Sequence, residues 1–295
     1  MVRDIDDTKR PLLEHLIELR KRLVWSMVAL IICVVAAYTV SSPIFRFLQV
    51  PLYEAFQSAG YPDARMIFTS PIEFFLTRIK LSFFIGLCVG FPIIAYQFWL
   101  FVAPGLYKRE KLAALPFLVV GPLLFLLGAS VVYYIFYPVA LDFFLTFQER
   151  PEPGALAIEL ETRVSEYYSL LLMFLLAFGA AFQMPLIITL LARIGFVSAA
   201  DLRGARKYAI VGSFVVAAVI TPPDPFSQIG LALPLILLYE ISIWCARIVE
   251  KKRAKAEAAA SGDADGSGGG AVAAGAAGGS APIDEFQETD FNQTR

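Results

Sequence analysis

Two acids stand where basic residues alone would be easy to explain. In "LLEHLIELRKRL", Leu12 to Leu23, Glu14 and Glu18 precede the cluster Arg20, Lys21 and Arg22, and an uncharged apolar run begins where the stretch ends. A carboxylate can grip a guanidinium through two parallel hydrogen bonds, whereas it meets an ammonium as a point charge. Another acid, Glu110 in "APGLYKREK", lies in a second short basic segment. Glu18 and Glu110 together suit a cationic ligand held against a membrane surface. The blander alternative is a solvated charged face, with Glu18 paired to Arg22 at i+4 for only ~0.2–0.5 kcal/mol. Two further polar groups lie within apolar sequence. Gln183, in "FGAAFQMPL", is an amide at hydrocarbon depth, where a hydrogen bond to a neighbouring helix is the expected use and substrate handling the alternative. Glu240, in "LLYEISIW", lies near a span end, where it can snorkel, pair with Arg247 or contact a partner helix.

No catalytic signature accompanies these groups. The sequence has no Gly-rich phosphate loop, no H-E-x-x-H and no nucleophile elbow. The chain therefore reads as a non-enzyme with no cofactor. His15 is its 1 histidine, and its 3 cysteines all lie in apolar runs, which suits small buried hydrophobes better than a disulfide framework or a zinc site. The net charge of −1 argues against a nucleic-acid partner.

The elements that carry these residues are membrane spans. The chain is 58% hydrophobic and 17% charged, against about 25% charged in soluble domains. Uncharged runs predict an all-α, polytopic membrane protein with six spans, their cores near 23–40, 81–103, 113–137, 168–191, 208–220 and 229–246. Prolines inside the spans predict kinks. The last two spans are short, and "TPPDPFSQ" between them cannot continue a helix. The alternating connections carry 19 Lys and Arg on one side and 6 on the other, which places both termini in the cytoplasm. Residues 1–22 read as a cytoplasmic amphipathic segment that precedes a retained anchor, 23–250 as the membrane domain and 251–295 as a disordered cytoplasmic tail.

The connection after the first span predicts two short amphipathic pieces broken at Pro51. "SPIE" predicts a helix start with Ser70 as N-cap and Glu73 as its capping-box partner, and the following Arg78 and Lys80 point toward outer headgroups. The 13 residues from 208 to 220 span only about 20 Å, which implies either a short hairpin held by its neighbours or a thinned patch of bilayer.

Four stretches carry a resemblance. "HLIELRKRL", "YQFWLFVAPGLYKRE", "FGAAFQMPL" and "TPPDPFSQ" closely resemble the TatC family, the core signal-peptide receptor of the twin-arginine translocase, in order from residue 11 to about 250. The resemblance implies a multi-pass protein of the bacterial cytoplasmic membrane that exports folded proteins using the proton-motive force. It implies TatA- and TatB-type single-span partners, docking at the fifth span, and a homo-oligomer within the complex. By matched position, Glu18 and Glu110 receive the paired arginines of a signal peptide, with Arg20 on the same face. Phe101 and Pro51 fall where function is sensitive, and Asp224 and Gln228 lie in the outer hairpin motif. Gln183 stands where the family often has glutamate, and a neutral amide carries no proton there. The competing class is a six-span small-molecule permease, which paired broken helices in inverted repeats would favour; the sequence shows none.

Overall fold

The computed structural model describes the chain apart from residues 1–4, 62–63, 103–107, 149–159, 222–223 and 266–295. Within helices, the side chains of 5–12, 102, 108–117 and 256–265 are also left undescribed. The described residues are almost entirely helical. In order they form α1 (Ile5–Thr39), α2 (Ser41–Ser58), β1 (Met66–Ile67), α3 (Pro71–Val102), α4 (Lys108–Val131), a π-helical turn (Val132–Phe136), α5 (Tyr137–Leu145), β2 (Thr162–Arg163), α6 (Val164–Ala181), α7 (Met184–Arg193), α8 (Ala199–Gly204), α9 (Arg206–Ile220) and α10 (Pro225–Asp265). Five stretches are long and apolar enough to cross a membrane: Leu13–Thr39, Pro71–Phe101, Leu118–Leu145, Val164–Arg193 and Pro225–Lys255. The fifth expected span is α9, whose 15 residues reach only about 22 Å. The sixth, also expected to be short, is instead a stretch of 31 residues, because α10 starts at Pro225 and runs on past 246.

Helix α1 packs on α3, which in turn packs on α4 and α6. Gly86 of α3 sets the first of these contacts, because a Cβ there would lie 2.7 Å from the Val34 backbone. The remaining faces of α1 expose Val24, Trp25, Ile31, Ile32 and Val35, as expected of a helix facing hydrocarbon. The main core runs through Leu81, Val132, Tyr137, Tyr168, Leu171, Phe174, Phe178 and Leu231. A smaller cluster of Ala192, Ala199, Leu202, Ile243 and Ala246 joins α7, α8 and α10.

Two local expectations change. Helix α2 is one continuous helix with Pro51 inside it, not two pieces. Pro51 has no N–H for the carbonyl of Phe47, four residues back, and the Tyr133 hydroxyl donates to that oxygen at 2.6 Å instead. Tyr167 and Tyr168 of α6 donate to the Leu48 and Phe45 carbonyls, each at 2.6 Å, so a tertiary donor set carries α2 past its proline. The start of α3 uses Thr69 rather than Ser70: Glu73 accepts from the Thr69 N–H at 2.9 Å and from the Ser165 hydroxyl at 2.7 Å, tying α3 to α6. The kink expected in the fourth span falls at Phe182 and Gln183, because Pro185 offers no N–H to continue the ladder.

Arg78 is held within the fold, donating to Ser41 and Ser42 at 2.7 and 2.8 Å, and Lys80 donates to Ser169 at 3.0 Å. The π turn precedes Pro138, which withdraws the N–H that the Tyr134 carbonyl would use. The chain divides into units 1–253 and 254–295. Helix α10 continues to Asp265, past the expected start of the tail, and the rest of that tail lies outside the described residues.

Candidate functional site

The N-terminal end of α1 and the C-terminal end of α3 meet side by side, and the opening glutamate sits at that meeting. Glu18 is half-buried, and its Oε1 accepts from Arg22 Nη2 at 3.2 Å, the i+4 pair the spacing predicts. Arg22 also reaches across to α3, where Nη1 donates to Gln97 Oε1 at 3.5 Å. The two side chains retain 29% and 35% of their exposure, so the pair is worth about 0–1 kcal/mol. One turn before Glu18, the His15 ring stacks on Phe101 of α3, with centroids 4.2 Å apart and planes at 14°. Arg20 is exposed on the same end. Glu110 lies in the first turn of α4, but its side chain is among those not described, so its distance from Glu18 is outside the described residues.

Gln183 lies higher in the bundle. It occupies the break between α6 and α7 and donates from Nε2 to the Gly121 carbonyl of α4 at 2.8 Å. This is the interhelical hydrogen bond expected of an amide in hydrocarbon. It borders a cavity of about 310 Å³ lined by Phe91, Phe98, Trp99, Leu186 and Leu190. Phe98 lies about one turn along α3 from Phe101.

At the opposite end, Asp224 caps α10 by accepting the Ser227 N–H at 2.5 Å, while its Oδ1 is buried without a partner among the described residues. Gln228 donates to the Phe214 carbonyl at 3.5 Å. Phe226, between them, stacks on Phe143 of α5 at 4.0 Å, which seats the hairpin. Glu240 pairs with Arg206 of α9 at 2.7 Å, not with Arg247. The partner comes from the neighbouring helix because the charged end of α9 lies beside that turn of α10; i,i+7 spacing alone could not foresee it.

The structure thus stacks His15, one turn from Glu18, on Phe101 and keeps Gln183, Glu240 and the Asp224–Gln228 hairpin in separate places. Sequence reading passed over His15 and Gln97. No local spacing links α1 to α3, and the sole histidine is the one composition signal that could have marked His15.

Long apolar helices in a bundle broken by prolines define a multi-pass α-helical membrane protein. Three comparisons narrow that class. The family model described as Sec-independent protein translocase protein (TatC) matches residues 14–234. The chain is 47% identical over 249 residues to the Sec-independent protein translocase protein TatC of Magnetococcus marinus, covering 84% of this chain and 88% of that protein. It is 37% identical to the Escherichia coli protein of the same name over 243 residues, 82% and 90% of the two chains. A crystal structure described as the twin arginine translocase receptor TatC superposes with a TM-score of 0.69 at 38% identity, covering 80% of this chain and 99% of that one. The chain belongs to the TatC family. It is a bacterial inner-membrane subunit of a protein translocase, and no enzyme family is indicated.

Proposed function

We propose that this chain is the receptor and scaffold of a twin-arginine translocase, binding signal peptides with paired arginines at the end of the bundle that carries Glu18. On this reading that end and both termini face the cytoplasm, α9 completes six crossings, and the Asp224–Gln228 hairpin faces the other side. Glu110, Arg20 and Phe101 complete the site with Glu18. TatA- and TatB-type single-span subunits dock on the bundle, copies of the chain assemble within the complex, and the proton-motive force drives export. The carrying observation is that Glu18 already holds a guanidinium, that of Arg22, in a half-buried pair at the end of the bundle. A peptide arginine can take the other carboxylate oxygen of Glu18 while Arg22 keeps its bond to Gln97. The family relationship and the described receptor structure support the same reading.

The test is peptide affinity for the purified chain across a salt series. An Arg-Arg signal peptide should bind more tightly than its Lys-Lys counterpart. Glu18→Gln and Glu110→Gln should each weaken the Arg-Arg peptide and flatten its salt dependence at unchanged thermal stability. If both variants bind like wild type, these carboxylates are only surface charge.

A further inference from the structure

The two-bond grip of a carboxylate favours a guanidinium over an ammonium, but an ion pair as accessible as that of Glu18 is worth only about 0–1 kcal/mol, so it selects weakly by itself. A guanidinium also has a flat face, which stacks on a ring while its N–H edge stays free. The end of the bundle beside Glu18 offers such a face. His15 is exposed, and its ring lies nearly parallel to that of Phe101 at 4.2 Å. Phe101 is half-buried on α3, so the histidine ring is backed by a second helix rather than left to rotate. His15 and Glu18 are three residues apart on α1, which makes them neighbours on one face at about 5–6 Å between Cβ atoms. Arg22 continues the same face one turn further on, already bonded to Glu18.

We infer that His15 determines specificity: its ring, backed by Phe101, is the platform on which the guanidinium of an incoming peptide arginine stacks while Glu18 accepts from its N–H edge. The inference rests on the reading that a signal peptide's arginines bind beside Glu18. It adds the residue that makes the choice depend on shape as well as charge. Lysine, with a compact ammonium, keeps its attraction to Glu18 and gains less from the ring.

The competing role for His15 is structural, a ring that seats α1 on α3 and takes no part in selection. The two roles separate in one experiment on the full chain in detergent, with two peptides identical except for Arg-Arg or Lys-Lys. His15→Leu and His15→Gln should each weaken the Arg-Arg peptide about two- to fivefold, the range expected of an exposed cation–π contact. The Lys-Lys affinity should change less, so the ratio between the peptides falls. His15→Tyr, which keeps a ring, should restore the ratio. Thermal unfolding of each variant confirms that the fold is intact. If His15→Leu and His15→Gln weaken both peptides equally, or leave the ratio at its wild-type value while Glu18→Gln lowers Arg-Arg binding, the platform is overturned and the receptor reading stands. If the wild-type chain shows no preference for Arg-Arg, the receptor reading fails and the platform fails with it.

Discussion

Pro51 and Tyr133 make a pair whose energies depend on each other. Inside α2, Pro51 withdraws the N–H that the Phe47 carbonyl would use, and the Tyr133 hydroxyl supplies the replacement at 2.6 Å. Tyr133 is only 6% exposed, and its ring stacks on Phe47 at 4.6 Å, so the hydroxyl has a fixed place. Tyr133→Phe keeps the ring and removes the donor. With Pro51 present, the carbonyl is left unsatisfied, at a cost of about 1–3 kcal/mol. With Pro51→Ala, the restored N–H can close the helical bond, and the same tyrosine change should cost only about 0.5–1.5 kcal/mol. A double-mutant cycle should therefore show coupling of ~1 kcal/mol, about a fivefold change in an equilibrium constant. The loss of proline's own chain stiffening cancels in the cycle. Reversible unfolding in mixed micelles measures all four corners. Equal costs for Tyr133→Phe in both backgrounds would refute the idea that the hydroxyl stands in for the missing N–H.

Gly86→Ala should destabilise the bundle by about 1–3 kcal/mol and weaken peptide binding as well, because the added Cβ meets the Val34 backbone at 2.7 Å and shifts α1 away from the α3 residues beside Glu18; thermal unfolding and peptide affinity check both effects. Gln183→Leu removes the 2.8 Å bond to the Gly121 carbonyl and should cost about 0.5–1.5 kcal/mol in an unfolding assay, without the larger penalty of an orphaned charge. Asp201 accepts from the Ser198 hydroxyl and N–H in the capping box of α8, and these bonds hold its carboxyl below the usual carboxylate range. A group depressed in this way stabilises the fold above its unfolded value of about 3.9, and that contribution disappears as pH falls through the folded value. Asp201→Asn should therefore reduce the acid sensitivity of stability below about pH 4, read from unfolding at stepped pH.

Five spans were legible because each is a long uncharged run, and the shortness of α9 because its run is brief; the last span proved longer than expected, as α10 carries on through charged residues. The Glu18–Arg22 pair and the interhelical bond of Gln183 also followed from spacing and depth. The misread places all involve a proline or a partner from elsewhere in the chain. Pro51 reads locally as a break, yet α2 continues through it because tyrosines from the π turn and α6 serve its carbonyls. Pro185, by contrast, reads as a kink within one span, and the helix is interrupted there at Phe182 and Gln183 inside the single stretch Val164–Arg193. A proline fixes which backbone group is left free; the rest of the fold decides whether a side chain fills the vacancy. Glu240 and Arg206 likewise meet only because α9 lies against α10.

Arg22 sets the terms on which an outside arginine can bind. Exchanging one guanidinium for another at Glu18 leaves the carboxylate bond nearly unchanged in energy, so that bond can align a ligand but contributes little net affinity. Net affinity must come from contacts that Arg22 does not make. Apolar burial is the large reserve: ~200 Å² removed from water contributes about 5 kcal/mol, several times the value of an exposed ion pair. On the proposed reading, selection and strength therefore come from different parts of the ligand. The rings and acids at the end of α1 decide which cation is accepted. The apolar stretch that follows the arginines supplies the strength, whatever the charge, and salt that screens the first contribution leaves the second in place.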